Sequence, residues 1–74
     1  MKSKRERFED VAGKRVQYII DKLDLLGNCS NRNNYDFSNA DVRKMFSTLR
    51  EALKRTEGKF DDKFAKQEKK RFKF

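Results

Sequence analysis

A chain of 74 residues can form one small domain at most, burying only about 60% of the surface its unfolded form exposes. An apolar fraction of 35% against a charged fraction of 43% leaves no run near the roughly 20 apolar residues of a transmembrane helix, so no membrane partner is expected. A net charge of +8 points instead to a polyanion, most often nucleic acid.

The basic start is not followed by the apolar core of a signal peptide, and a single cysteine cannot form an internal disulfide. Both features favour the cytoplasm, where the formal sequon Asn28-Cys29-Ser30 carries no meaning. Residues 1–66 are expected to form a single helical domain, followed by a basic, frayed tail over 67–74.

The first element is a helix over about 5–26. Phe8, Ala12, Val16, Ile19, Leu23 and Leu26 recur at steps of four and three, with Ile20 widening the stripe, as on one side of an amphipathic helix. Asp10 and Lys14 form a favourable acid-before-base pair one turn apart. Gly27 follows the last apolar residue, where a left-handed residue commonly ends a helix. A second stripe, Val11, Tyr18 and Leu25, runs at seven-residue spacing well away from Val16. It needs a cover of its own: a third helix from residues 60–72, a second copy of the chain, or another partner. With so small a core, the alignment favours a homodimer over a monomer.

Residues 27–37 form a long, specified loop, Gly-Asn-Cys-Ser-Asn-Arg-Asn-Asn-Tyr-Asp-Phe. Connectors between helices commonly need about two to eight residues. Asparagine and serine bond nearby backbone, so the loop can be turn chemistry alone, with Tyr35 and Phe37 sealing the end of the core. The functional reading is that Asn31, Arg32, Asn33 and Tyr35 face a protein partner or a nucleic acid. Cys29 lacks any histidine to activate it or share a metal, so it is expected to pack near the helix end.

The second helix, over about 39–66, announces its own start. Ser38 is an N-cap, Asp41 stands three residues on in a near capping box, and Phe37 and Val42 occupy the staple positions. Val42, Phe46, Leu49, Leu53, Thr56 and Phe60 keep the four-three rhythm, with Met45 beside them. Phe60 and Phe64 stay in phase, so the helix is expected to continue through Gly58; the alternative is a short third helix after it. The fold expected is therefore all-α, an antiparallel helical hairpin.

Arg43, Arg50 and Lys54 form a stripe bordering the apolar face of this helix. Residues 59–74 carry seven basic groups against three acidic ones, half of the net excess, among them Lys66, Lys69, Lys70, Arg71 and Lys73. Lysine and arginine supply salt-sensitive phosphate contacts, and Phe72 could stack on a base. The bland alternatives are stems laid along the core edge and a solvated end.

No glycine-rich phosphate loop, zinc-finger spacing or calcium loop occurs, and the loop is too long for a DNA-reading helix-turn-helix. The acids are interleaved with lysine and arginine, and so small a hairpin offers little room for a catalytic pocket. Neither a catalytic residue, a cofactor nor a metal is expected, and the protein is read as a non-enzyme.

The run Leu25-Leu26-Gly27-Asn28-Cys29-Ser30-Asn31-Arg32, then Asn34-Tyr35-Asp36-Phe37 and Asp41-Val42, resembles a group of uncharacterised small helical proteins of phages and conjugative elements of Gram-positive bacteria. The resemblance covers roughly residues 5–60, with the loop as its distinctive part, and leaves out the basic tail. It implies a mobile-element accessory protein without implying a mechanism. The leading expectation is a non-enzymatic protein binding DNA or RNA mainly through phosphate. The alternative is a protein-interaction module acting through the 27–37 loop or the Val11/Tyr18/Leu25 stripe.

Overall fold

The computed structural model describes residues 2–69, with side chains described for residues 2–65. It contains two α-helices, α1 (Lys4–Gly27) and α2 (Asn39–Lys69), with a 3-10 turn over Asn28–Ser30, and no strand among the described residues. The all-α class is as the sequence implies. The chain divides between Asp36 and Phe37 into two units, one built on α1 and one on α2. No helix among the described residues is long and apolar enough to cross a membrane.

In α1 the start is fixed by Ser3. Its Oγ accepts from the Glu6 N–H at 3.1 Å, while Glu6 Oε1 accepts from the Ser3 N–H at 3.4 Å, a reciprocal capping box. The turn that follows is laced by surface ion pairs: Arg5–Glu9 at 3.2 Å, and Asp10 between Lys2 and Lys14 at 3.4 Å each. The Asp10–Lys14 pair is the one the spacing implies. All of these groups are exposed, and each such pair stabilises by only about 0–1 kcal/mol.

The end of α1 differs from expectation. Gly27 is right-handed, with φ −58° and ψ −31°, and Asn28 is likewise right-handed at φ −66° and ψ −18°. The chain leaves the helix by tightening into the 3-10 turn, with the Asn28 N–H directed at the carbonyls of Asp24, Leu25 and Leu26. Those orphan carbonyls are met from within the chain, so the glycine's access to positive φ is not used.

The start of α2 follows the sequence closely. Ser38 and Asp41 cap each other, the Val42 N–H donates to the Ser38 carbonyl at 3.2 Å, and Phe37 and Val42 are both half-buried. Thr56 Oγ1 donates to the Ala52 carbonyl at 2.9 Å, which satisfies the hydroxyl within the helix and lets threonine stand in an apolar stripe. The helix passes through Gly58 unbroken, so the short third helix is absorbed into α2. It reaches Lys69, three residues past the expected end at 66; the rest of the expected tail, residues 70–74, lies outside the described residues.

Both helices carry their apolar stripes at the surface. Ile19 and Leu53 are 56% and 68% exposed, and no described residue is fully buried. A single helix is too thin to enclose its own side chains, so each stripe is a surface awaiting a partner element.

Candidate nucleic-acid and partner interfaces

On α2, steps of seven and four bring Arg43, Arg50 and Lys54 into an arc of about 40° on a 3.6-residue helix. All three are exposed, and none is in an ion pair among the described residues. The same arc is continued by Glu57 and Asp61, so its positive character belongs to the first half of the helix. A second row escapes a reading built on the apolar pattern. Arg55, Lys59 and Lys63 succeed one another at steps of four on the side away from Arg50, with Lys44 preceding them. These four are exposed and in no ion pair among the described residues either, although Asp62 stands among them. The i, i+4 spacing is the signal that reveals this row, and the stronger apolar rhythm beside it masks that signal.

Among the described residues, then, every ion pair lies on the N-terminal side of α1, and no described lysine or arginine side chain of α2 is in one. Lys66 and Lys69 stand on the last turns of α2, but their side chains are outside the described residues, as are Lys70, Arg71 and Lys73 altogether.

In the loop, Asn31 is the organiser. Its carbonyl accepts from the N–H groups of Asn34 at 3.1 Å and Tyr35 at 3.0 Å, and its Oδ1 accepts from the Asn33 N–H at 3.0 Å. One asparagine thus folds the next four residues back on themselves, as an Asx-turn does. Its amide oxygen is engaged locally, and Arg32, Asn33 and Tyr35 are exposed along with the rest of the loop up to Asp36. Two expectations are corrected here. Cys29 is exposed because it sits in the middle of the 3-10 turn, and Tyr35 is 52% exposed because the turn at Asn31 holds it at the loop surface. No three His, Cys, Asp or Glu side chains gather as a metal site among the described residues.

On α1, Val11, Tyr18 and Leu25 are 44%, 62% and 57% exposed. Lys22 Nζ stands 5.1 Å from the centre of the Tyr18 ring, and the Arg5 guanidinium 5.6 Å from that of Phe8. Lys4, Arg7, Phe8 and Val11 line a shallow depression at the start of the stripe.

No family model, curated protein or solved structure matches the chain.

Proposed function

We propose that this is a non-enzymatic nucleic-acid-binding accessory protein that grips DNA or RNA mainly by its phosphates. The observation that carries the reading is the set of exposed basic side chains on α2 that enter no ion pair among the described residues: Arg43, Arg50 and Lys54 on one side, Arg55, Lys59 and Lys63 on the other. A lysine already paired with a carboxylate must break that pair to meet a phosphate; these need not. Each phosphate neutralised releases condensed counterions, so affinity falls with salt and reads little sequence. Lys66, Lys69, Lys70, Arg71 and Lys73 extend the same charge along the chain.

In this reading the two units close as an antiparallel hairpin in the cytoplasm. The support is the matched rhythm of Ala12, Val16, Ile19, Leu23 and Leu26 with Val42, Phe46, Leu49, Leu53 and Thr56, each exposed stripe finding its cover in the other. The setting in a mobile genetic element rests on the resemblance carried by the Gly27–Phe37 loop. Titration of DNA and RNA against salt tests the reading: binding absent at low salt, or indifferent to salt, contradicts it.

A second reading is favoured by a separate observation, the exposure of Val11, Tyr18 and Leu25 in a row. A hairpin buries one face of each helix, and this row lies on another. Such a stripe suits docking of a protein partner.

A further inference from the structure

The Val11/Tyr18/Leu25 stripe is rimmed mostly by basic residues. On a 3.6-residue helix Lys4, Arg7, Arg15 and Lys22 fall within about 60° of it, while Glu6, Glu9 and Asp24 lie more than about 100° round. Asp21 falls at the same angular distance as Arg15, on the other edge, where its Oδ1 accepts from Gln17 Nε2 at 2.9 Å. Lys14, also near, is held by Asp10 at 3.4 Å. None of the four rim cations is in an ion pair among the described residues, and Lys22 lies over the Tyr18 ring with its ammonium beside the stripe.

This rim selects among occupants. A second copy laid antiparallel, stripe to stripe, brings its own Arg15 and Lys22 against the same groups; laid parallel, it still sets five cations (Lys4, Arg7, Lys14, Arg15 and Lys22) and two acids (Asp10 and Asp21) against an identical rim. Either way a net positive rim meets a net positive rim, which weighs against a homodimer through this face. A cover drawn from residues 60–72 carries five basic groups against three acidic ones, so it too presents net positive charge to the rim. The stripe itself has the form a helix recognises. Its residues are seven apart and span roughly 21 Å, so they stay in line for about four turns against a partner with the same period.

Building on the partner-docking reading, we propose that this face binds an acidic amphipathic helix of another protein. The partner's apolar side chains, repeating every seven residues, pack against Val11, Tyr18 and Leu25. Its flanking aspartates or glutamates pair with Arg7, Arg15 and Lys22.

The test titrates the full chain with two synthetic helical peptides. Each carries leucine at seven-residue spacing; one is flanked by glutamate and the other by lysine. The glutamate peptide binds about tenfold tighter or better, and Tyr18→Asp weakens it about tenfold while circular dichroism reports unchanged helicity. The double variant Arg15→Glu/Lys22→Glu, which alters only surface charge, reverses the preference. Equal binding of both peptides, abolished in Tyr18→Asp, keeps the stripe as a docking face but overturns its acidic partner. Binding of neither peptide overturns the docking reading itself. Binding to phosphatidylcholine–phosphatidylserine vesicles in place of the glutamate peptide, with the same sensitivity to Tyr18→Asp, overturns the proposal in favour of a membrane surface.

Discussion

Ser38 and Asp41 exchange hydrogen bonds across the first turn of α2: the Ser38 N–H donates to Asp41 Oδ2 at 2.9 Å, and the Asp41 N–H donates to Ser38 Oγ at 3.1 Å. The Ser38 backbone N–H, then the Ser38 side chain and the charge of Lys44, hold the Asp41 carboxyl below the usual aspartate range. A carboxyl whose folded value is depressed stabilises the fold above its unfolded value and loses that contribution as pH falls through the folded one. The helicity of α2 should therefore decline on acidification below about pH 4. Asp41→Asn should lower helicity at neutral pH and remove this component of the acid transition, as followed by circular dichroism.

Gly58 sits in the interior of α2, and a methyl group added to it would meet nothing within 4 Å. Gly58→Ala should therefore stabilise the helix by about 0.5–1 kcal/mol, because alanine has less backbone freedom to lose. The thermal midpoint followed by circular dichroism should rise. A fall would mean that the glycine admits a close partner at that position.

The Ser3 cap is predicted to matter as much as its counterpart. Ser3→Ala removes the acceptor for the Glu6 N–H and should cost α1 about 1 kcal/mol, read as faster amide exchange over its first turns.

Much of this architecture is legible locally. The Ser38–Asp41 box and the passage of α2 through Gly58 follow from residues within one or two turns of each other. The Ser3-x-x-Glu6 signature is equally local, but it lies before the first apolar residue of the stripe, Phe8, where periodicity has nothing to mark. Gly27 misleads because glycine permits a left-handed exit without requiring one; the 3-10 turn at Asn28 meets the helix-end carbonyls first. An inward place for Cys29 and Tyr35 presumes that small or apolar groups near a helix end find a core. Their position depends instead on the turn organised by Asn31, which composition alone does not specify. Period identifies a face such as Val11/Tyr18/Leu25, but only the signs of the neighbouring charges say what kind of surface can cover it.

The proposed hairpin has its own consequence. If the α1 and α2 stripes cover each other, a charge placed in one must loosen both. Ile19→Asp should speed amide exchange around Leu49 and Leu53 as well as around Ile19. An effect confined to α1 would mean that the stripes have separate partners.

The proposal that α2 holds nucleic acid through phosphate is tested most directly by the salt dependence of binding. Affinity for duplex DNA should fall steeply with salt, and the variant Arg43→Glu/Arg50→Glu/Lys54→Glu should bind more weakly with a shallower slope. Every phosphate that the variant no longer neutralises should take about 0.9 off the log–log slope. An affinity and slope identical to those of the unaltered chain would contradict the account.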